Sequence, residues 1–378
     1  MDYKSASIKL HEQYKGKLSV SIKVPIENKE DLSLAYSPGV AGPSLEIASN
    51  KHRVKDLTWR SNTIAVISDG SAVLGLGNIG PEAALPVMEG KCVLFKKFAN
   101  VDAVPIVVDT QEVDKFIQTI INIAPSFSGI NLEDISAPRC FEIEERLQDS
   151  LDIPVFHDDQ HGTAIVILAA LINAGKVLDL DIRKEAIVTN GAGSAATAAI
   201  NLLHSYGFKD MIVVDSKGII DDSRADLEKH KLELVKFTNL KNQRGNLADA
   251  VKDRKIFLGL SVADVLTSQM IKTMQKDPVI VAMANPNPEI MPELAKEAGA
   301  RIIATGRSDY PNQVNNVLGF PGIFRGLLDN NIKKVTVEMK IRAAEAIASL
   351  VPNPTEEEII PSPFHPDVAN VVADSIRE

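Results

Sequence analysis

Apolar residues recur along this chain with two different spacings, and the change of spacing divides it. The first quarter reads as irregular, broken by the turn signals Ser37-Pro38-Gly39 and Ala41-Gly42-Pro43. Continuous apolar runs then predict strands at 63–68, 92–95 and 103–108. Helical spacing predicts helices over 111–122, 141–149 and 163–176, the last stopping near Gly175. From residue 184, strand and helix alternate: a strand at 186–189, a small-residue helix at 195–205, and strands at 211–214, 256–258, 279–283 and 301–304. Buried apolar strands alternating with helices predict a doubly wound parallel sheet. A final amphipathic helix at 335–350 precedes a Pro-rich tail, expected to pack back on the first half. The fold class is therefore α/β. An N-terminal α/β domain is expected over 1–160, and a Rossmann-type dinucleotide-binding domain over 161–378.

Composition narrows the function classes. The 378 residues carry 41 basic and 50 acidic side chains, a net charge of -9. That charge gives no electrostatic footprint for nucleic acid or an anionic membrane surface. No stretch of about 18 uninterrupted apolar residues is present, and the longest candidate, 163–174, reads as a buried helix. The first residues carry charges with no apolar run behind them, unlike a secretory signal. Two cysteines, Cys92 and Cys140, make no disulfide framework. A reducing, cytoplasmic setting is expected.

The strongest single motif is Gly191-Ala192-Gly193-Ser194-Ala195-Ala196, a GxGxxA loop between a predicted strand and helix. Gly191 permits the tight turn, Gly193 lets backbone approach a pyrophosphate, and Ala196 lets the helix pack close to the sheet. Asp215 ends the next strand, where a carboxylate accepts hydrogen bonds from ribose hydroxyls and repels a 2′-phosphate. This favours NAD over NADP, although Lys217 nearby could pair with that phosphate. The second match, Gly75-Leu76-Gly77-Asn78-Ile79-Gly80, reads as a decoy. Pro81 and Glu82 follow it directly, no acid ends a strand about 20 residues on, and no βαβ unit is expected around it.

Acidic pairs end two apolar runs, at Glu133-Asp134 and Asp158-Asp159. Carboxylates in such positions suit the oxygen-only coordination of Mg2+ or Mn2+. His157 and His161 have the i, i+4 spacing of a zinc pair, but Asp158, Asp159 and Gly162 favour a loop there, and no HExxH pattern occurs.

The segments Leu34-Ala35-Tyr36-Ser37-Pro38-Gly39-Val40, Ser68-Asp69-Gly70, Leu74-Gly75-Leu76-Gly77-Asn78-Ile79-Gly80, Pro86-Val87-Met88-Glu89-Gly90-Lys91 and Glu133-Asp134 resemble malic enzymes. So do Phe156-His157-Asp158-Asp159-Gln160-His161-Gly162-Thr163-Ala164, the Asn285-Pro286 turn and Asn315-Asn316-Val317. Together they cover nearly the whole chain, in family order, and resemble the small bacterial, NAD-preferring type. The resemblance implies a metal-dependent oxidative decarboxylation of L-malate to pyruvate and CO2, with oxaloacetate as an intermediate and a further substrate. Glu133, Asp134 and Asp159 would hold the divalent metal. Lys91 would take the C2 hydroxyl proton, which requires a depressed amine pKa, and Asp158 would pass or orient it. Tyr36 would protonate enolpyruvate at C3. Asn285 and Asn316 would bind substrate or nicotinamide, with Asn285 and Asn315 on the cofactor. The resemblance also implies a homodimer or higher homo-oligomer.

One departure stands out. Larger members carry an arginine after the Asp-Gly turn, whereas this chain reads Asp69-Gly70-Ser71-Ala72-Val73-Leu74. Another group, or a neighbouring subunit, must then meet the second substrate carboxylate, or affinity for malate is weak. Three other functions remain open: a malolactic enzyme that retains NAD and releases lactate, an amino-acid or 2-hydroxy-acid dehydrogenase, and a non-catalytic dinucleotide-binding regulator.

Overall fold

A computed structural model describes residues 2–73 and 76–378. The chain builds two sheets. The first contains β1 (Thr63–Ser68), β2 (Asp102–Val107), β3 (Ile130–Leu132) and β4 (Val155–His157), all parallel, in the order β2-β1-β3-β4. The second contains β5 (Ile187–Asn190), β6 (Met211–Asp215), β7 (Gly218–Ile219), β8 (Ile256–Gly259), β9 (Val279–Ala282) and β10 (Ile302–Thr305), in the order β10-β9-β8-β5-β6-β7. All its pairings are parallel except β6 with β7. The expected α/β architecture with a Rossmann-type second sheet is the one observed.

Before β1 lie four helices, α1 (Tyr3–Tyr14), α2 (Lys29–Ala35), α3 (Ala41–Ser49) and α4 (Val54–Leu57). The region expected to be irregular is thus partly helical; Asp2 and Asn28 cap α1 and α2 by accepting from backbone N–H groups.

The predicted strand at 92–95 is not a strand. These residues lie in α5 (Pro81–Ala99), whose buried positions Ala84, Met88, Lys91, Cys92, Phe95 and Ala99 keep helical spacing. A four-residue apolar run carries no period of its own, and the longer register decides. Because α5 joins two parallel strands, β1-α5-β2 is a βαβ unit, contrary to expectation. The second glycine motif sits before it, with Gly80 as N-cap and Pro81 opening the helix; Leu74 and Gly75 fall outside the described residues.

The helices α6 (Val113–Ile123) and α7 (Arg139–Ser150) cover the first sheet's other connections. The segment expected as a loop at 158–162 is instead the first turn of α8 (Asp158–Leu178). Two acids in that turn favour the positive end of a helix, which outweighs the glycine. Residues 163–174 of α8 are largely buried, and the helix packs on α9 (Ser194–Tyr206). A division at residue 160 lies inside α8, whose apolar side chains share one core with β5, β8 and β9. The C-terminal tail forms a further helix, Val368–Ser375, packed mainly on the helices Phe320–Asp329 and Val337–Ser349, and more lightly on α5. Gly322 and Gly326 allow that approach, since a Cβ on either would lie within 2.7 Å of the tail helix.

Candidate active site

Parallel strands deliver their following residues to one edge, and both sheets do so here. After β1 come Asp69 and Gly70, after β3 Glu133 and Asp134, and after β4 Asp158 and Asp159. Helix α5 contributes Lys91 from behind.

Lys91 is the centre of the cluster. Its Nζ donates to Asp158 Oδ2 at 2.6 Å and pairs with Glu133 Oε1 at 2.7 Å. It also lies 4.2 Å from the ring centre of Phe320, a cation–π contact. Asn316 Nδ2 donates to the same Asp158 oxygen at 2.6 Å, while Asp158 Oδ1 is buried without a partner among the described residues. Asn131 Nδ2 donates to Glu133 Oε2 at 2.9 Å. Asp159 Oδ2 accepts from the backbone N–H of Asp134 at 2.7 Å.

Charge at this cluster is unbalanced. Three carboxylates, Glu133, Asp158 and Asp159, share the Lys91 ammonium. Burial pushes all three above the usual carboxylate range, with Asp158 raised to about 7. Burial pulls Lys91 down, but Asp158, Glu133 and Asp159 outweigh it and hold the ammonium well above its ordinary value. The depressed lysine that the resemblance implies is not what this arrangement gives, because anions rather than cations surround the amine.

Among the described residues, no three His, Cys, Asp or Glu side chains converge as ready metal ligands. Glu133 is turned towards Lys91 and Asn131. The donor chemistry nonetheless fits a hard divalent ion: the oxygens are carboxylate, buried on Glu133 and Asp134 and half-buried on Asp159, and in excess over the cations paired with them. The zinc alternative finds no support. His157 is buried with neither ring nitrogen bonded among the described residues. His161 is engaged elsewhere, its Nε2 2.9 Å from Glu144 Oε2 and its Nδ1 2.9 Å from Lys340 Nζ.

Position 72 has no arginine, but Arg139 reaches the same turn from α7. Its Nη2 donates to Asp69 Oδ2 at 2.8 Å and to Ser71 Oγ at 2.9 Å. Nη1 donates to the Gln111 carbonyl at 2.8 Å. The guanidinium pins the turn and is already engaged. Tyr36 is not brought to the cluster: it is 69% exposed, between α2 and α3.

In the second sheet Gly191 follows β5, with φ of +119°; a Cβ there would lie 2.3 Å from the Leu260 carbonyl. A Cβ on Gly193 would meet nothing within 4 Å. Beside these a cavity of about 480 Å³ is lined by Asn190, Gly191, Asp215, Lys217, Asn246 and Ser261, among others. Asp215 is gripped by Arg224, at 2.8 and 3.0 Å, and by Lys231 at 3.2 Å. Lys217 donates its backbone N–H to Asp215, while its ammonium pairs with Asp226. Asn285 is exposed, and Asn315 Oδ1 caps Val317. The sequence motifs gave no signal for Arg224 and Lys231, nine and sixteen residues beyond the strand end.

Residues 15–148 match the malic enzyme N-terminal domain, and residues 160–377 match the malic enzyme NAD-binding domain. The chain belongs to the malic enzyme family. A bifunctional malic/malolactic enzyme of Bacillus subtilis is 54% identical, over 100% of this chain and 93% of that protein. An NADP-dependent malic enzyme of Escherichia coli is 48% identical, over 96% of this chain and 48% of that longer protein. The crystal structure of an NAD-dependent malic enzyme from Thermotoga maritima superposes with a TM-score of 0.95 at 46% identity, covering 98% of each chain. This malic enzyme family member is thus an oxidoreductase with an NAD-binding domain. Neighbours of both cofactor habits lie at similar identity.

Proposed function

We propose that this enzyme oxidises L-malate with NAD and decarboxylates the product to pyruvate and CO2. The buried Lys91–Asp158 pair, at 2.6 Å beside two further acids, is the observation that carries the reading. In this scheme Lys91 takes the C2 hydroxyl proton and Asp158 receives the displaced one. The unpartnered Oδ1 of Asp158 and its raised pKa suit it to hold a proton near neutrality. Asn316 fixes the Asp158 carboxylate, and Phe320 closes one side against water. Hydride leaves C2 for the nicotinamide, the C3–C4 bond breaks with loss of CO2, and Tyr36 protonates C3 of the enol. Glu133, Asp134 and Asp159 would hold Mg2+ or Mn2+, which when bound supplies Lewis-acid polarisation of the C2 oxygen. Oxaloacetate supplied from outside would enter at the decarboxylation step. The dinucleotide would lie over Gly191, Gly193 and Ala196, with its ribose at Asp215. Asn285 and Asn315 would act near the nicotinamide, and Asn285 and Asn316 near the substrate.

NAD is favoured over NADP because Asp215 ends β6. Its pairing with Arg224 and Lys231 makes that preference weaker than an unpaired carboxylate would give. A malolactic reaction is the second reading, favoured by the bifunctional relative. We place the enzyme in the cytoplasm as a homo-oligomer; both cysteines are free and buried, as a reducing setting allows. Incubation with malate, NAD and Mg2+ tests the scheme. Pyruvate and NADH in equal amounts support it, whereas lactate without net NADH replaces it with the malolactic reaction.

A further inference from the structure

At the strand ends of the second sheet one charge stands apart. The Glu289 side chain is fully buried, and each of its hydrogen bonds comes from an uncharged donor. Its Oε1 accepts from the Ser261 backbone N–H at 2.9 Å and, more weakly, from Ser261 Oγ at 3.4 Å. Its Oε2 accepts from the Ala284 backbone N–H at 3.0 Å. No ammonium, guanidinium or imidazole pairs with it among the described residues. A buried carboxylate ordinarily has a cation beside it or takes up a proton. Burial does raise the pKa of Glu289, but the Ala284 and Ser261 N–H groups oppose that rise. Both oxygens already face N–H donors, which is the setting of an ionised group.

The position of this charge ties it to the cofactor. Asn190, Gly259 and Ala282 end β5, β8 and β9 in one row across the sheet. The strand order reverses between β5 and β8, and open α/β sheets bind ligands in the crevice outside such a point. Ser261 lies just beyond β8 and Ala284 just beyond β9, so one carboxylate joins two neighbouring loops. Asn190 Nδ2 donates to Ser261 Oγ at 2.7 Å and extends the network to the residue before Gly191. The main chain adds a further tie, from the Leu266 N–H to the Glu289 carbonyl at 2.9 Å. Gly259 makes room for all this: a Cβ there would lie 2.4 Å from Glu289 Cδ.

Two N–H groups on separate loops need two acceptor oxygens, and a glutamine side chain offers one. The bracket therefore needs a carboxylate, and it brings an uncompensated negative charge to the wall of the cavity that Asn190, Gly191 and Ser261 line. Asn285 follows Ala284 directly. A nicotinamide ring is cationic in the oxidised dinucleotide and neutral in the reduced one. A fixed anion beside it attracts the first and is indifferent to the second.

We infer that Glu289 is a positioning residue of the dinucleotide site, whose carboxylate fixes the loops after β8 and β9 and favours the oxidised cofactor over the reduced one. This rests on the placement of the nicotinamide near Asn285 in the reading above, and it adds a determinant of which redox form is held. The test titrates the parent, Glu289→Gln and Glu289→Asp with NAD+ and with NADH by calorimetry, in the absence of malate. Glutamine removes the charge and turns its NH2 towards one of the two N–H groups. Aspartate keeps the charge and falls short by one methylene. Both variants should bind both forms more weakly. With the charge about 10 Å from the ring at an effective dielectric of about 40, Glu289→Gln should lower the NAD+ to NADH affinity ratio by about fourfold, whereas Glu289→Asp should leave it within about twofold of the parent. An unchanged ratio in Glu289→Gln overturns the inference. So does an equal shift in both variants, because geometry and not charge would then set it. A further check needs no variant to fold: a parent that binds NADH more than about tenfold more tightly than NAD+ refutes a wall that favours the oxidised form. If the ratio shifts as expected but the parent does not turn over malate, the inference stands and the malate reading fails. If the parent binds neither form, both fall.

Discussion

Replacing Asp215 by asparagine should turn the cofactor preference towards NADP. The Asp215 side chain is 9% exposed, and its carboxylate sits at the end of β6 between Arg224 and Lys231. A 2′-phosphate on the adenosine ribose would face it. Two unit charges about 5 Å apart at an effective dielectric of about 40 repel by roughly 2 kcal/mol. The amide removes that repulsion and frees Arg224, whose charge-assisted hydrogen bond to a phosphate contributes about 1.5–3 kcal/mol. Allowing for screening by solvent and salt, the ratio of kcat/KM for NADP over NAD should rise by about 100- to 1,000-fold. The assay compares kcat/KM for both cofactors at saturating malate and Mg2+, at low and at moderate ionic strength. The shift should shrink with salt. A ratio within twofold of the parent would refute the argument and move cofactor selection away from the strand end.

Other outcomes follow from the same geometry. Asp159→Asn should lower turnover by at least about 100-fold while leaving dinucleotide binding, read by fluorescence, nearly intact, and the parent should stop in excess EDTA; full parental turnover under chelation rules the assignment out. Gly162→Ala should lower kcat by about 100-fold or more, because its Cβ would lie 1.8 Å from Asp158 Oδ1 and force that carboxylate off Lys91 and Asn316; an unchanged kcat would show that Asp158 has no fixed role. Glu144 is buried; burial raises its pKa, but His161, His157 and Lys340 pull it down to about 2. Its folded pKa lies below the unfolded value, so its stabilisation, on the order of 3 kcal/mol, is present above about pH 4.5 and lost as pH falls through 2. Denaturant unfolding of Glu144→Gln should therefore show a flatter pH dependence than the parent over that window, and parallel curves would contradict it.

Sequence pattern located the parallel strands of the second sheet and β1 and β2 of the first, because they are apolar runs bounded by turns; it marked no strand at β3 or β4, which are only three residues long. It failed at 92–95, where four apolar residues are one face of a nineteen-residue helix. The second failure was the start of α8, where glycine and acids read as a loop although acids suit a helix N-terminus. The glycine loop and the acidic pairs Glu133-Asp134 and Asp158-Asp159 stood out because each follows a strand end within a short motif, whereas Lys91, inside α5, entered only through the family resemblance. Arg139, Arg224, Lys231 and Phe320 did not stand out. Their roles depend on contacts across long separations, such as the seventy residues between Arg139 and Asp69, and no local spacing encodes them.

The continuity of α8 bears on the modularity of this enzyme. A chimera joined at residue 160 would take Asp158 and Asp159 from one parent and the rest of their helix from another. The graft would also separate Lys91 from the Phe320 beneath it and Asp158 from Asn316, contacts that pass from one half of the chain to the other. A junction before Val155 keeps the helix whole, but the acids then travel with the incoming half and must match the resident lysine. Recombination that exchanges cofactor habit between relatives is therefore expected to succeed through single substitutions around Asp215 more readily than through whole-domain transplants.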